Sequence, residues 1–156
     1  MSGVSADRQR AERAGMGGLR ADAVLGLPVR THGIRLGYAV DLLVDLDASR
    51  ALGLDVLCGD GGHRFLPLAA ARVREDEIEI GSALILLDEA ELAFYRSRAA
   101  ALSALRGVEL ERGGEPVGRL LDVVVGERGE LDAVLVGDGE TLERVPGLDL
   151  RPVPVA

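Results

Sequence analysis

Two aspartates interrupt apolar runs at matching places in the chain. Asp41 follows Gly37 by four residues, Asp122 follows Gly118 by four residues, and each aspartate precedes three apolar residues. Two carboxylates held close together can divide the roles of acid and base, because each shifts the pKa of the other. The alternative is a structural role, in which each carboxylate accepts backbone N–H bonds at a turn. Because the pair is generated by duplication, we predict the structural role.

Three further side chains could ligate a transition metal. His32, His63 and Cys58 offer the nitrogen and sulfur donors that suit zinc. Their spacing matches no His-x-His, Cys-x-x-Cys or His-Glu-x-x-His motif, and both histidines fall in predicted turns. We therefore predict exposed turn histidines, a core-filling cysteine and no metal site. A lone cysteine allows no intramolecular disulfide and fits a reducing cytoplasm.

The remaining motifs give no catalytic or cofactor-binding set. The glycine-rich pieces 15–18 and 59–62 complete neither the P-loop nor the dinucleotide fingerprint, and the chain contains no lysine. No serine stands in a Gly-x-Ser-x-Gly elbow. We predict a protein without catalytic residues and without a cofactor. An enzyme would instead need titratable residues from both halves of the chain in one cleft.

The charge balance favours a protein partner over nucleic acid. Lys+Arg 18 against Asp+Glu 26 gives a net charge of −8, and only 3% of the residues are aromatic. Nucleic-acid surfaces need clustered basic residues and often aromatic platforms, so nucleic acid is a poor candidate ligand. An acidic surface would attract a basic protein partner. All 18 basic residues are arginine, which indicates the codon bias of a GC-rich bacterial genome.

The pattern around these residues is that of short antiparallel strands. Apolar runs alternate with glycine-rich or acidic turns, which predicts a mostly β fold. The predicted strands of the first half are 28–30, 37–45, 51–58, 64–67, 77–80 and 83–87.

An internal repeat accounts for most of the chain. The run from Gly37 returns at Gly118, an offset of 118 − 37 = 81. The run ending at Pro67 returns at Pro146, an offset of 146 − 67 = 79. We assign the same offset of 79 to residues 54–57 and 133–136, so the second copy would have lost two residues in the turn after its first long strand.

A single helix is predicted over 88–104, between the two copies. Asp88 followed by Glu91 is an N-cap signal, and Gly107 can end the helix. An apolar stripe follows helical spacing: Leu92, Tyr95, Ala99 and Leu102. Phe94 is rotated about 100° from Tyr95. One of the two is a candidate anchor for a partner or a second copy of the chain, and the alternative is packing between the two copies.

The register of glycine, aspartate, apolar strand and apolar-Pro ending resembles the PRC-barrel family, to which the photosynthetic reaction centre H subunit and the C-terminal domain of the ribosome maturation factor belong. The resemblance covers about residues 25–87 and, less completely, 105–156. It implies small bent β-barrels that dock other proteins, in ribosome or RNA-processing assembly or in membrane complexes, and it carries no catalytic residues. The expected organisation is a flexible N-terminal arm (1–22), a first PRC-barrel-like domain (23–87), a linker helix (88–104) and a second such domain (105–156).

Two functions are therefore open. The first is a noncatalytic adaptor of two PRC-barrel-like modules, and the second is a regulatory module that binds a small molecule or anion between the barrels. The candidate contact residues are those around the linker: Arg72, Arg74, Phe94, Tyr95, Arg96 and Arg98. No apolar stretch approaches the roughly 20 residues of a membrane-spanning helix, so we expect a soluble cytoplasmic protein. Self-association and strand sharing between the copies are left open.

Overall fold

The computed structural model describes residues 18–138 and 141–154, and most of them lie in β-strands. The strands of the first half are β1 Leu19–Arg20, β2 Pro28–Thr31, β3 Ile34–Asp45, β4 Arg50–Cys58, β5 His63–Pro67, β6 Arg72–Val73 and β7 Ile78–Glu79. Those of the second half are β8 Ala100–Ala101, β9 Glu109–Arg112, β10 Glu115–Val125, β11 Leu131–Gly137, β12 Leu142–Pro146 and β13 Arg151–Pro152. The helices are α1 Ala21–Val24, α2 Glu89–Arg98 and α3 Leu102–Leu105, with 3₁₀ turns at Leu68–Ala70 and Ala83–Ile85. Residues 1–17, most of the predicted arm, lie outside the described residues.

The strands form two sheets, which confirms the mostly β fold class. The first sheet has the order β5-β4-β3-β2-β7-β6, and β8 adds to β3. The second has the order β12-β11-β10-β9-β13, and β1 adds to β10. Within the described ranges the end strands of each sheet do not pair with each other, so neither sheet closes into a barrel by strand pairing.

The strand register confirms the repeat and corrects one of its offsets. Bulges fall between Ala39 and Asp41 in β3 and between Leu120 and Asp122 in β10, 81 residues apart. Leu54 lies opposite Leu42, and Val134 lies opposite Val123, so β4 and β11 are related by 134 − 54 = 80 residues and not by 79. The second copy has thus lost one residue in each of two turns. The correction matters because a slip of one residue moves a side chain to the other face of a sheet.

Each copy lends its first strand to the other copy's sheet. In β1, Leu19 pairs with Val125 of the second sheet. In β8, Ala100 pairs with Val44 of the first sheet. The two pairs are equivalent in the repeat, since 100 − 19 and 125 − 44 are both 81. The copies therefore share strands, which the sequence left open.

The two sheets also meet through a reciprocal pair of backbone hydrogen bonds. Arg50 forms an isolated antiparallel bridge with Glu130, its equivalent in the repeat. The Ala51 N–H donates to the Gly129 carbonyl at 2.7 Å, and the Leu131 N–H donates to the Ser49 carbonyl at 2.9 Å. Such an exchange is what an approximate twofold axis between Arg50 and Glu130 produces.

One apolar core lies between the inner faces of both copies. Burying each large side chain fully contributes about 1.5–3 kcal/mol, so the shared core supports a second copy that is small for an independent domain. Its members include Leu42, Leu54, Val56, Leu66, Val123, Val134, Val136 and Val145.

The helix between the copies is shorter than predicted. The Asp88 carboxylate accepts the Glu91 N–H at 3.1 Å, which confirms the N-cap. The helix ends at Arg98, because Ala99 is extended and the chain then joins β3 as β8. Strand pairing overrides the helical propensity of the alanines here. The predicted strand 83–87 is wrong for most of its length: Ala83–Ile85 form a 3₁₀ turn that the Ser82 hydroxyl caps at Leu84 N, and Leu87 forms an isolated antiparallel bridge with Phe65.

Candidate functional site

The two repeated aspartates bind the start of a short helix from the other copy. Asp41 Oδ1 accepts its neighbour Leu42 N at 2.9 Å and Ser103 N, in α3, at 3.2 Å. Asp122 Oδ1 accepts Val123 N at 2.9 Å, and its Oδ2 accepts Asp22 N, in α1, at 3.2 Å. Each carboxylate therefore accepts backbone N–H groups, as predicted, but it caps a helix of the other copy and not a turn beside it.

The other repeated positions are also structural. A Cβ on Gly37 would lie 2.9 Å from Cys58 Cα, so β3 and β4 need glycine there. Gly118 has φ +138°, a backbone angle that other residues rarely adopt. Pro67 and Pro146 are equivalent ends of β5 and β12, opposite Gly53 and Ala133.

The two copies differ most on the outer faces of their sheets, away from the shared core. Across β3, β4 and β5, the outer face of the first sheet carries the row Tyr38–Leu57–His63 and the neighbouring pair Asp55–Phe65. The equivalent positions of the second sheet hold Arg119, Gly137, Leu142, Leu135 and Arg144. In contrast, the inner faces are apolar in both copies. The difference directs attention to the outer face of the first sheet.

An ionic cluster with a buried carboxylate at its centre lies on this face. The Asp55 side chain is only 3% exposed, yet it binds His63 Nδ1 at 2.8 Å through Oδ1 and the Arg96 guanidinium through Oδ2. The strand β4 positions Asp55, β5 positions His63, and α2 brings in Arg96. Because the contact with Asp55 uses Nδ1 of the His63 ring, Nε2 is the ring nitrogen that is left for another group.

The sequence predicted His63 in a turn and did not single out Asp55. The structure corrects both points, because His63 is the first residue of β5 and its ring contacts Asp55. A signal was present: Asp55 interrupts an apolar run, whereas the corresponding run of the second copy, 133–136, has no charged residue.

A stack of rings fixes α2 on this face. Phe65 and Tyr95 lie 4.2 Å apart at their centroids, and Phe94 meets Tyr95 edge-on at 5.3 Å. The Arg98 guanidinium carbon lies 4.5 Å from the Phe94 ring centroid. Tyr95 thus packs on the sheet, and Phe94, 47% exposed, is the aromatic residue that remains available to a partner.

A cleft of about 540 Å³ opens between α2 and the end of β5. Its lining is His63, Glu89, Leu92, Ala93, Arg96 and Ser97. By strand register, His63 joins this cleft to the exposed side chains Leu57 and Tyr38. The Arg35 guanidinium lies 5.1 Å from the Tyr38 ring and donates to its hydroxyl.

The structure does not bring the four predicted arginines together. Arg74 pairs with Glu79 at 3.0 Å, Arg96 binds Asp55, and Arg98 covers Phe94. Arg72 is exposed on β6. The apolar core fills the region between the inner faces, where the alternative ligand site was expected.

The remaining predicted ligands stay apart. Cys58 is half-buried, and burial raises the pKa of its thiol. His32 is an exposed turn residue with φ 49°. Among residues 18–138 and 141–154, no group of three or more His, Cys, Asp or Glu side chains could hold a metal ion. The same ranges contain no helix with the length and hydrophobicity needed to cross a bilayer.

The chain was compared with known protein families and with curated proteins. Neither the family models nor the curated sequences match it.

Proposed function

We propose that this protein is a noncatalytic adaptor that docks a protein partner on the outer face of its first sheet. We call the docking surface the α2 surface and define it as Tyr38, Leu57, His63, Arg96 and the cleft beside them. The observation that carries the proposal is the divergence of the two copies. They share an apolar inner face, whereas the outer-face positions that hold Tyr38, Leu57, His63 and Asp55 in the first sheet hold Arg119, Gly137, Leu142 and Leu135 in the second.

The expected occupant is a protein segment with apolar side chains and net negative charge. Tyr38 and Leu57 offer exposed apolar area, and they lie opposite each other on β3 and β4. Arg35, His63 and Arg96 present their nitrogen atoms around this area, while the balancing carboxylate of Asp55 is buried beneath them. Opposite charges across an interface speed association and select the partner.

This partner differs from the basic one expected from the net charge. The net charge of −8 describes the whole chain, but a docking segment meets only the charges within about a Debye length, roughly 8–10 Å. Nearby, Arg64 and Asp60 pair at 3.3 Å and largely cancel each other. Glu89 and Asp88 also border the cavity beside His63, so the charge that would attract an acidic segment is that of Arg35 and Arg96.

The proposal includes the resemblance to PRC-barrel domains. That resemblance implies docking modules without catalytic residues, and it is the source of the suggested link to ribosome or membrane-complex assembly. The repeated strands and their matching bulges support a duplicated module.

The test is capture of partners from the host's lysate with matched variants. The variant Tyr38→Ser/Leu57→Ser removes apolar area from the α2 surface. The control Leu142→Ser/Leu148→Ser removes exposed leucines, 52% and 65% exposed, from the second half. We expect a stoichiometric partner that resists nuclease treatment, that the control variant still captures and that the α2-surface variant no longer captures. Calorimetry with the purified partner should show an affinity close to wild type for the control variant and a weaker one for the α2-surface variant.

Two results would contradict the proposal. One is a partner that both variants retain equally, which would place docking elsewhere on the molecule. The other is a set of captured proteins that disappears entirely with nuclease, which would indicate indirect binding through nucleic acid.

A further inference from the structure

The ionic cluster Asp55–His63–Arg96 is not required by the fold. The equivalent of Asp55 in the second copy is Leu135, which is 6% exposed, so the same sheet position accepts a leucine. Buried ion pairs often add no stability over apolar residues of similar size, because removing charges from water costs about as much as their attraction returns. A cluster present in only one copy is therefore better explained by what it can bind.

The cluster holds two nitrogen groups at the same cleft. Asp55 fixes His63 through Nδ1 and Arg96 through one guanidinium nitrogen, and both residues line the cleft. The His63 side chain is 42% exposed and that of Arg96 is 50% exposed, so atoms of both reach solvent. Their remaining nitrogen atoms are free of Asp55, and Leu92 and Ala93 provide an apolar wall beside them.

We propose that His63 and Arg96 form a binding site for a carboxylate group, with Asp55 as the positioning residue. A carboxylate has two oxygen atoms in one plane, which suits a guanidinium on one side and the Nε2–H of an imidazole on the other. Because Asp55 occupies Nδ1, His63 donates from Nε2 only in the form in which both ring nitrogens carry a proton, so the site binds a carboxylate in that form. The assignment rests on the proposed function for its biological source, an acidic side chain of the docked segment. The chemistry of the site itself belongs to the isolated protein and can be tested there.

Glu89 limits the affinity of this site for a carboxylate. It lines the same cleft as His63 and Arg96, and its Oε1 lies beside Gly62. Its negative charge opposes an incoming carboxylate. Removing that charge with Glu89→Gln should therefore tighten carboxylate binding. A cluster with only a structural role would show no such increase in affinity.

The experiment is an NMR titration of the full chain with sodium acetate at constant ionic strength, using sodium chloride as the reference, at a pH where the imidazole nitrogen signals show both nitrogens of His63 protonated. The chain has only two histidines, so the imidazole nitrogen signals of His63 can be followed with those of His32 as an internal control. We expect a saturable shift of His63 alone. Arg96→Gln should weaken acetate binding about tenfold or more, and Glu89→Gln should strengthen it by several-fold.

Several outcomes would overturn the carboxylate site. They are equal, non-saturating shifts at His32 and His63, a response unchanged in Arg96→Gln, or tighter binding of inorganic phosphate than of acetate. If Arg96→Gln does not fold, the acetate affinities of wild type and Glu89→Gln are compared instead. An unchanged affinity in Glu89→Gln would also contradict the carboxylate site.

The two proposals fail in different ways. If acetate binds but the Tyr38→Ser/Leu57→Ser variant captures the same partners as wild type, the carboxylate site is supported and the adaptor proposal is rejected. Partner loss without acetate binding would retain the adaptor and reject the site.

Discussion

At the scale of single residues, Asp55 is the unusual feature of the molecule. A carboxylate that is almost fully buried keeps its charge only with strong partners, and His63 and Arg96 supply them from two other elements. Both partners keep part of their surface in water, so they can be hydrated if Asp55 is removed. The cluster is therefore asymmetric: the buried member depends on the exposed members more than they depend on it.

This asymmetry predicts unequal effects of two substitutions. Arg96→Gln leaves one oxygen of a buried carboxylate without its charged partner and should lower the free energy of unfolding by about 1–3 kcal/mol. Asp55→Leu copies the residue of the second copy and should change it by less than about 1 kcal/mol. Urea denaturation measures both. A larger loss for Asp55→Leu than for Arg96→Gln would show that the cluster is mainly structural.

The sequence predicted that Asp41 and Asp122 accept backbone N–H groups, but it did not single out Asp55. The omission has one physical reason. The apolar-Pro endings are related by 79 residues, and extending that offset to β4 aligns Asp55 with Val134, an inner-face residue. The bulged register gives 80 and aligns it with Leu135 on the outer face. Bulges leave no clear mark in composition, so side chains next to them cannot be assigned to a face from the sequence.

At the scale of elements, the short helices α1 and α3 depend on caps supplied by the other copy. Asp122 accepts the Asp22 N–H and also the Arg20 Nε–H, at 3.1 Å, and its side chain is 2% exposed. Asp41 accepts the Ser103 N–H and hydroxyl but is only half-buried. The two caps are equivalent in geometry and unequal in burial.

Removing the caps should destabilise the protein in proportion to burial. Asp41→Ala should lower the free energy of unfolding by about 1 kcal/mol, the usual value of a lost cap. Asp122→Ala should cost about 2–3 kcal/mol, because it also leaves buried N–H groups unsatisfied. Asp47→Ala, at an exposed turn residue, is the control and should have an effect below about 0.5 kcal/mol. Thermal or urea unfolding that gives the reverse order would contradict this explanation.

The contact between β4 and the ring stack allows a second element-scale prediction. A Cβ on Gly53 would clash with the Leu66 carbonyl of β5 and would lie 2.5 Å from Phe65 Cζ, so Gly53→Ala must displace both β5 and the ring on which Tyr95 and α2 pack. We expect a loss of about 1–3 kcal/mol and faster amide exchange in α2. Gly59→Ala is the matched control, because a Cβ there meets nothing within 4 Å. Equal stability of the two variants, or unchanged exchange in α2, would show that the ring position is not what holds the helix.

The strands that are bounded by glycine-rich or acidic turns could be predicted from the sequence. The structure of residues 83–105 could be predicted only in part. The Asp88 cap and the first part of α2 follow from local residue types. The end of α2 at Arg98 does not, because Ala99 and Ala100 favour a helix and only the pairing of β8 with β3 makes them extended. A two-residue strand that completes a distant sheet has no pattern of its own to find.

At the scale of the whole molecule, the exchanged strands connect the two copies more closely than a linker helix would. Two independent modules predict that residues 23–88 fold alone. The exchange predicts the opposite, since this fragment lacks β8 and α3, which add to β3 and cover the first half of the core. We expect no cooperative thermal unfolding of residues 23–88 by circular dichroism.

The complementary halves provide the control. Mixing residues 1–88 with residues 89–156 should restore both exchanged strands and give a 1:1 complex with a cooperative transition, measured by sedimentation and circular dichroism. A cooperative transition of residues 23–88 alone, at a midpoint near that of the full chain, would instead support two separable domains.

The bridge between Arg50 and Glu130 has a consequence for the ancestry of the chain. In an isologous homodimer, a residue on the symmetry axis meets its own copy, so an arginine there would face an arginine. Here the equivalent positions on the axis hold an arginine and a glutamate. Two identical subunits cannot hold that combination, whereas one gene encoding both halves can mutate each side separately. Because one chain carries both halves, the two positions on the axis, and with them the two outer faces, can carry different residues.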